Sequence, residues 1–312
     1  MKCLILGGAG FIGAHLAEGL LAEGHTIRIL DLPNLLAPEH LRADPNVQWI
    51  EGNFLNKNDL VHAVQGIEVV FHLVSATLPK SSNDNPVYDV ESNIVGTLHL
   101  LDAARLNGIR LIVFASSGGT VYGLPKALPI KEDHVTEPMV SYGISKLAIE
   151  KYLHLYKHLY DLDYCVLRLA NPFGERQRSV TAQGAVGVFL HQALHGRPIN
   201  IWGDGSVTRD YIYIKDVVRA FVKVMTWGGQ QRIFNIGSGC GMSLNDVIIS
   251  IENLLGKPVA RTYEPGRKFD VPINILDISA AREQLGWQPE VRFDDALEKT
   301  FEWMRESQYV DF

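Results

Sequence analysis

Short apolar runs alternate with longer amphipathic stretches through the first half of this chain. The short runs are rich in β-branched and aromatic residues, which is typical of strands. The run Leu111–Ala115 is apolar throughout, so its strand is expected to be covered on both faces of a sheet. The pattern predicts these strands: Lys2–Leu6, Thr26–Leu30, Val47–Ile50, Val69–Leu73, Leu111–Ser116 and Tyr164–Leu169.

The stretches between the apolar runs carry apolar residues at helical spacing. They predict helices that include Ile12–Glu23, Val90–Asn107 and Tyr142–Tyr160. A strand followed by a helix and a second strand is the repeating unit of a parallel sheet. We therefore predict an α/β fold with a doubly wound parallel sheet over residues 1–170.

After about Asn171 the rhythm changes, because Gly- and Pro-rich loops separate strands from shorter helices. This change predicts a smaller α/β C-terminal domain over residues 171–312. Two strand-like runs, Tyr211–Ile214 and Ile233–Ile236, are candidates to return to the main sheet. The segment 213–238 would then belong to the first domain.

The composition argues against several classes of function. The formal net charge of −6 gives no electrostatic reason to expect nucleic acid as a partner. The apolar run after Lys2 ends at Gly7 and is too short for a signal sequence or a membrane span, so we expect a cytoplasmic protein without membrane contact. Cys3, Cys165 and Cys240 lack the spacing of a disulfide framework or a metal site and are expected to be reduced.

A glycine turn follows the first predicted strand. Gly7, Gly10 and Gly13 stand at G-x-x-G-x-x-G spacing between that strand and an amphipathic helix. Such a turn presents backbone N–H groups and the positive end of the helix to a pyrophosphate, as in a Rossmann-like fold. The second strand leads into Asp31, at the distance where a carboxylate accepts hydrogen bonds from an adenosine ribose. This carboxylate would repel a 2′-phosphate, so the pattern predicts NAD rather than NADP as the cofactor.

Further positions near this turn are candidates for cofactor contacts. Phe11 and Ile12 lie inside the glycine motif. Asn53 and Phe54 follow the third strand, where a polar side chain could meet the adenine edge. Asn53 is explained equally well as a loop cap. We predict cofactor contacts from all four residues.

Tyr142 and Lys146 are four residues apart on a predicted helix and therefore share one helix face. An ammonium beside a phenol favours the phenolate, so Lys146 is expected to lower the pKa of Tyr142 toward neutrality, as a proton-transferring base requires. Beside a dinucleotide, such a base indicates hydride chemistry on an alcohol or ketone. Alone, Tyr142 would be read as a core aromatic and Lys146 as a solvated residue; the interpretation depends on their pairing.

A series of motifs along the chain carries a resemblance to a known family: Gly7–Gly13, Asn93–Thr97, Ser116–Gly123, Tyr142 with Lys146, Arg168–Gly174, Trp202–Ile212 and Arg267–Asp277. Together they resemble extended short-chain dehydrogenases/reductases of the nucleotide-sugar epimerase/dehydratase group, and within it the UDP-hexose 4-epimerases. The resemblance runs essentially from end to end. It implies an NAD-dependent 4-epimerase that acts on a UDP-hexose or UDP-N-acetylhexosamine through a transient 4-keto sugar, with the C-terminal domain binding the nucleotide sugar.

The resemblance also implies roles for individual residues. Tyr142 would be base and acid at the sugar 4-hydroxyl, Lys146 would hold the nicotinamide ribose, and Asn93 would contact the cofactor. The residues that it assigns to the substrate are Ser117, Tyr142, Asn171, Arg209, Arg267 and Asn274. Asn171 and the two arginines would face the diphosphate, for which guanidinium groups suit bidentate contact. Asn274 aligns with a gate beside the sugar C2 substituent that tends to be Tyr in relatives restricted to plain hexoses, so the smaller Asn is expected to admit an N-acetyl group.

The chain departs from the family pattern at one catalytic position. These epimerases commonly carry Ser or Thr four residues before the Tyr of the Val-Tyr-Gly triplet, where this chain has Gly118. Ser117 would serve instead if the loop slips by one residue, and Thr120 is the second candidate. The motif also lacks the Thr-Asp-Glu triplet of the resembling 4,6-dehydratases, which disfavours elimination of water.

Two other functions stay open at this point. One is a 4-epimerase or 4-ketoreductase for a dTDP- or GDP-deoxysugar, since no residue that contacts the base can be named. The other is a non-catalytic NAD-binding sensor. The pair of Tyr142 and Lys146 argues against the sensor, because a sensor has no chemical need for a phenolate.

The helix that carries Tyr142 contains two further patterns. His154 and His158 stand at i, i+4 without an obvious third ligand, so no metal site is predicted. Tyr152, Tyr156 and Tyr160 stand at helical spacing and predict a buried packing seam. By resemblance, this helix and the helix before it form the interface of a homodimer.

Overall fold

The computed structural model describes residues 1–35, 37–177, 184–267 and 270–306. Its strands are β1 (Lys2–Leu6), β2 (Thr26–Asp31), β3 (Val47–Glu51), β4 (Val69–His72), β5 (Leu111–Ser117), β6 (Asp163–Leu169), β7 (Asn171–Phe173), β8 (Ile199–Trp202), β9 (Thr208–Tyr213), β10 (Ile233–Ile236), β11 (Gly241–Ser243), β12 (Arg261–Glu264) and β13 (Ile273–Asn274). Its helices are α1 (Phe11–Ala22), α2 (Glu39–Ala43), α3 (Lys57–Val64), α4 (Pro79–Asp84), α5 (Pro86–Asp89), a π-helix (Val90–Val95), α6 (Gly96–Leu106), α7 (Ser141–Tyr160), α8 (Ala185–Leu194), α9 (Ile214–Val224), α10 (Leu244–Leu255), α11 (Ser279–Leu285) and α12 (Phe293–Glu306).

Seven strands form the main sheet in the order β10-β6-β5-β4-β1-β2-β3. β1 pairs in parallel with both β2 and β4, and the β2–β3 and β4–β5 pairs are also parallel. The strand order reverses at β1, because β2 and β3 lie on one side of it and β4 and β5 on the other. Ligands of such sheets bind beyond the carboxyl ends of the strands at this reversal. The predicted α/β fold with a doubly wound, Rossmann-like sheet is confirmed.

The main sheet is buried because its central strands are apolar on both faces. All of β4 is buried, as are Cys3–Leu6 in β1 and Leu111–Ser116 in β5. Leu4 and Phe114 belong to one hydrophobic cluster with residues of α3, α6 and α7. Burial of one Leu or Phe side chain contributes about 1.5–3 kcal/mol, so this cluster is a main source of stability.

The predicted helix Val90–Asn107 is not a single α-helix. Val90–Val95 forms a π-helix, and α6 continues from Gly96. The wider turn places the neighbouring residues Ser92 and Asn93 both in the interior. Gly96 is needed where α6 begins, because an added Cβ would lie 2.5 Å from the Phe54 ring. None of the helices in the described ranges combines the length and apolar composition needed to cross a bilayer.

The two candidate return strands differ in outcome. Ile233–Ile236 forms β10, at the edge of the main sheet beside β6. Tyr211–Ile214 does not return: Tyr211–Tyr213 is the end of β9, which pairs with β7, β11 and β13 in a second sheet. The reason is local packing, since the Tyr213 ring lies 6.4 Å from that of Phe173 in the paired strand β7. β8 and β12 form a separate parallel pair.

The chain folds as two compact units. The first consists of Met1–Val121, Thr136–Arg168 and Val218–Phe234, and the second of the described parts of Tyr122–Val135, Leu169–Val217 and Asn235–Phe312. The segment Tyr122–Val135 belongs to the second unit although it comes early in the chain. It is held there because the Tyr122 hydroxyl donates to Asn235 at 2.7 Å and the Asn235 amide donates to the Ile130 carbonyl at 2.8 Å.

A buried ion pair connects α7 to the main sheet. Arg168 on β6 donates from Nε and Nη2 to the two carboxylate oxygens of Glu150 on α7, at 3.1 and 2.7 Å. The two side chains are 3% and 1% exposed. Ser116, near the end of β5, also donates to this carboxylate. The pair therefore fixes α7 against two adjacent strands.

We expect Arg168→Leu to lower the free energy of unfolding by about 3–5 kcal/mol, because it leaves the Glu150 carboxylate buried without its cation. Lys157→Leu is the matched control, since it removes an exposed ion pair with Asp161 from the same helix and should cost less than about 1 kcal/mol. Equilibrium unfolding in guanidinium measures both. Equal losses in the two variants would contradict the role given to the buried pair.

Candidate active site

The glycine turn after β1 has the geometry of an anion-binding site. Gly7 has a φ of +88°, and its carbonyl accepts from the Gly10 N–H at 3.2 Å. A Cβ at position 13 would lie 2.1 Å from the Gly7 carbonyl oxygen, so only glycine fits there. No side chain within the described ranges caps the start of α1, and its first turn carries no acidic residue. Its first N–H groups, at Phe11 and Ile12, are thus available to a pyrophosphate.

Asp31 lies beside this turn, as the sequence predicts. Its Oδ2 accepts from the Ala9 N–H at 2.8 Å, and its Oδ1 accepts from the Leu32 N–H at 2.9 Å. These bonds fix the carboxylate at the end of β2 while leaving each oxygen a lone pair for a further donor. A ribose diol fits this arrangement.

Asn53 and Phe54 lie in different environments, one in a loop and the other in the core. Asn53 Oδ1 accepts from the Leu55 N–H at 2.9 Å, which is the loop-cap alternative. Phe54 is buried in the core, with its ring 5.0 Å from that of His72. The Phe54 ring packs under Gly96, and the cofactor contact of this residue stays a prediction.

Asn93, for which a cofactor contact is predicted, makes several hydrogen bonds inside the protein. Its Oδ1 accepts from the Ala76 N–H at 3.1 Å, and its Nδ2 donates to Thr77 Oγ1 and to the side chain and carbonyl of Asp89. The amide is buried and its donors and acceptor are occupied within the protein. Asn93 therefore ties the π-helix to the loop after β4, and its contact with the cofactor stays a prediction.

Tyr142 and Lys146 come together in the first turns of α7. Lys146 Nζ donates to the Ala115 carbonyl of β5 at 2.8 Å and lies 5.5 Å from the centre of the Tyr142 ring. It also lies 4.7 Å over the Phe114 ring. The start of α7 is fixed from α4, because Asn83 and Ser82 accept hydrogen bonds from the N–H groups of Ser141 and Tyr142.

The charge state of this pair differs from the prediction. Burial raises the pKa of Tyr142 to about 12; a hydrogen bond with Ser75 opposes the shift and the Asp89 carboxylate adds to it. Burial lowers the pKa of Lys146 to about 8, against the effects of Asp89 and Glu150. Desolvation of the phenol is thus the largest effect on the pKa of Tyr142, and it acts against the lowering that the Tyr–Lys spacing predicts.

Asp89 is the site residue that sequence reasoning missed. It is fully buried at the end of α5 and affects the pKa of both Tyr142 and Lys146. It belongs to no sequence motif, and a single Asp at the end of a four-residue helix is ordinarily interpreted as a surface residue. Its position becomes evident only when α5 and α7 are seen to pack together.

The two candidate hydroxyls lie at the end of β5 and just after it. Ser117 is half-buried, and its carbonyl accepts from the N–H groups of Thr120 and Val121. Thr120 Oγ1 is buried, and no described residue offers it a hydrogen-bond partner. Thr120 is also next to α7, since a Cβ on Gly143 would lie 2.8 Å from its carbonyl oxygen.

The second unit brings together three of the predicted substrate residues. Asn274 on β13 is the register partner of Arg209 on β9 and is buried. Arg209 Nη1 donates to the Val271 carbonyl at 2.6 Å, and burial lowers the pKa of its guanidinium while Asp270 opposes the shift. Arg267 forms a bidentate pair with Asp270 at 2.9 and 3.1 Å. Asp270 thus holds a negative charge near both arginines.

A cavity of about 370 Å³ lies in the second unit beside these residues. Arg267, Asp270 and Trp202 line it, and the Arg267 guanidinium is 5.6 Å from the centre of the Trp202 ring. An indole and a guanidinium at the rim suit a planar base attached to a phosphate. Asn171 is near by along the sheet, where its amide donates to the Asp210 carbonyl at 3.0 Å.

The other patterns on α7 have ordinary structural environments. His154 Nδ1 lies 3.4 Å from the Tyr164 hydroxyl, and the described residues contain no cluster of three or more His, Cys, Asp or Glu able to hold a metal. Tyr152 and Tyr156 pack against the core, but Tyr160 is 49% exposed. The predicted buried seam therefore ends before Tyr160, which packs edge-on against Tyr156 near the end of the helix.

We expect Gly13→Ala to weaken NAD binding roughly tenfold or more, because its Cβ would displace the Gly7 carbonyl and with it the turn. Gly228→Ala is the control, since a Cβ there meets no atom within 4 Å. The NAD content of the purified proteins and titration calorimetry provide the measurement. Unchanged affinity in Gly13→Ala would show that the turn does not form the pyrophosphate site.

Known proteins match the chain along its whole length. The model of the NAD dependent epimerase/dehydratase family matches residues 3–237. UDP-glucose 4-epimerase of Mycolicibacterium smegmatis is 40% identical over 312 residues, covering 98% of this chain and 99% of that protein. The crystal structure of UDP-glucose 4-epimerase with UDP-glucose from Thermotoga maritima superposes with a TM-score of 0.93 at 34% identity, covering 99% of this chain and 100% of that one.

A third match concerns another sugar. The structure of UDP-N-acetylglucosamine 4-epimerase from Methanobrevibacter ruminantium, in complex with UDP-N-acetylmuramic acid, superposes with a TM-score of 0.92 at 28% identity and covers 98% of each chain. The resemblance drawn from the motifs is confirmed, as is NAD as the cofactor. The chain belongs to the NAD dependent epimerase/dehydratase family.

Proposed function

We propose that this protein is an NAD-dependent 4-epimerase that interconverts UDP-glucose and UDP-galactose. The observation that carries the proposal is the pair of half-buried Tyr142 and buried Lys146 at the carboxyl end of β5, with Lys146 Nζ fixed by the Ala115 carbonyl. UDP-glucose 4-epimerases among the relatives supply the substrate class. A sensor would gain nothing from a phenol beside a buried ammonium, because burying the ammonium costs stability and the pair serves proton transfer.

Residues of the first unit would hold the cofactor. The first N–H groups of α1 would bind the pyrophosphate, Asp31 would accept from the adenosine ribose, and Lys146 would donate to the nicotinamide ribose. When bound, NAD accepts hydride from the sugar C4 and returns it to the opposite face of the 4-keto sugar. This assignment makes the domain predicted over 1–170 the NAD-binding domain.

Tyr142 would move the proton of the 4-hydroxyl. The phenolate oxygen takes this proton as C4 is oxidised, and the phenol returns it when C4 is reduced. Since burial and the Asp89 carboxylate raise the pKa of Tyr142 to about 12, the phenolate requires positive charge at its side, from Lys146 and from an oxidised nicotinamide. Ser117 or Thr120 would donate to the reacting oxygen, and the buried, unpartnered hydroxyl of Thr120 supports its candidacy.

Residues of the second unit would bind the nucleotide diphosphate. Arg209 and Arg267 are the cations of this surface, and both are prearranged by backbone or carboxylate contacts. The cavity beside Trp202 offers an aromatic face to the base. Asn171 would add an amide donor. This assignment makes the domain predicted over 171–312 the nucleotide-sugar-binding domain.

We also propose a homodimer located in the cytoplasm. Support for the dimer comes from apolar side chains on the outer faces of α6 and α7, where Leu106 is 73% exposed and Leu159 is 54% exposed. Faces of this kind are typical of subunit interfaces.

Tyr142→Phe should lower kcat for UDP-galactose formation by about 10³-fold, because the ring keeps its packing and loses only the acid and base. NAD should stay bound. Proton NMR of the sugar anomers gives the rate, and the spectrum of the denatured extract gives the NAD content. Tyr160→Phe, on the exposed end of the same helix, is the control. Turnover within threefold of wild type in Tyr142→Phe would exclude the mechanism.

The size of Asn274 supports acceptance of N-acetyl sugars, which is the reaction named for the Methanobrevibacter relative. Asn274→Tyr should reduce kcat/KM for UDP-N-acetylglucosamine by roughly 100-fold, because the ring would occupy the space of the N-acetyl group, while UDP-glucose turnover changes less than about threefold. Kinetics with both sugars test this. Wild-type enzyme that turns over UDP-glucose and has no activity on N-acetyl sugars would contradict it.

A further inference from the structure

Asp89 is a fully buried carboxylate with four neutral hydrogen-bond donors. Its Oδ2 accepts from Ser145 Oγ at 2.6 Å and from Ser141 Oγ at 2.9 Å. Its Oδ1 accepts from Asn93 Nδ2 at 2.9 Å and from Thr77 Oγ1. These donors satisfy the buried carboxylate inside the protein.

Two of the four donors flank Tyr142 in the sequence, a third lies in the loop after β4, and Asn93 lies on the π-helix. Ser141 and Ser145 lie in the first turns of α7, one residue before and three residues after the phenol. Thr77 is in the loop after β4, and that loop also holds Ser75, the hydrogen-bond partner of Tyr142. Asp89 therefore joins the segment that carries the phenol to the segment that contacts its hydroxyl.

The charge of Asp89 acts on the same two groups. It raises the pKa of Lys146, which burial lowers, and it adds to the raised pKa of Tyr142. Two other titratable side chains lie near the pair, Glu150 and His72. Glu150 is compensated by Arg168, and burial lowers the pKa of His72 to about 3, so that this imidazole is neutral.

We propose that Asp89 is a positioning residue for the epimerase reaction, which fixes the start of α7 against the loop after β4 and places its carboxylate beside Tyr142 and Lys146. This inference rests on the proposed function. The charge supports the ammonium form of Lys146 despite its burial. It also disfavours a phenolate on Tyr142 unless additional positive charge is present, so proton abstraction is suppressed in the protein alone.

Asp89→Asn tests the charge while preserving the size of the side chain. The holoenzyme is labelled with ¹³Cζ-tyrosine, and the Tyr142 resonance is assigned by its absence from Tyr142→Phe. Loss of the negative charge should move the ionisation of Tyr142 about one pH unit lower, and the acid limb of the kcat profile should move with it. The plateau of kcat should fall roughly tenfold with KM changed less than threefold, because the start of α7 is held less firmly.

Two variants separate charge from hydrogen bonding. Ser145→Ala keeps the carboxylate, so it should lower the plateau by severalfold and leave the acid limb in place. Asp84→Asn removes an exposed carboxylate five residues before Asp89 and should change neither the kcat plateau nor the acid limb. If Asp89→Asn does not fold, the double variant Ser141→Ala/Ser145→Ala is measured instead. The inference then requires that the kcat plateau of this variant falls.

An unmoved Tyr142 titration with a wild-type plateau in Asp89→Asn would overturn the inference. A wild-type plateau in the double serine variant would do so as well. The NMR titration needs no turnover, so absence of UDP-hexose epimerisation in wild type would refute the proposed function while the effect of Asp89 on Tyr142 is still measured.

Discussion

The fold of the first unit depends on one constraint: the polar side chains buried on and beside α7 must all be paired within the protein. Lys146, Glu150 and Asp89 are all nearly or fully inaccessible to water. The Lys146 ammonium donates to a backbone carbonyl, Glu150 pairs with a guanidinium, and Asp89 accepts from four neutral donors. Since an unpaired buried charge costs several kcal/mol, these contacts favour the observed position of α7.

This constraint also shapes the chemistry. Desolvation of the phenol moves the pKa of Tyr142 away from the range useful to a base. A phenol that is acidic in the resting protein would be ready to take protons at any time. A phenol that becomes acidic only when further positive charge joins that of Lys146 is active only when the reacting groups are assembled. The environment of Tyr142 is of the second kind.

Sequence patterns predicted the elements with strong local signals. The apolar runs located the main strands to within about a residue, and the glycine spacing located the turn after β1 because no other residue type fits at position 13. Patterns failed where long-range packing decides. The spacing of Asn93 within its motif could not show that its amide is used up by Ala76, Thr77 and Asp89, nor could the Tyr–Lys spacing show the desolvation of the phenol.

The start of α7 has no capping side chain of its own and is capped instead by Ser82 and Asn83, which stand 60 and 58 residues earlier in the chain. An isolated peptide with the α7 sequence would lack these acceptors and would fray at this end. The reactive phenol thus acquires its orientation from a contact of high sequence separation. Its alignment is a property of tertiary assembly, and it forms only after the chain between the two helices has closed into a loop.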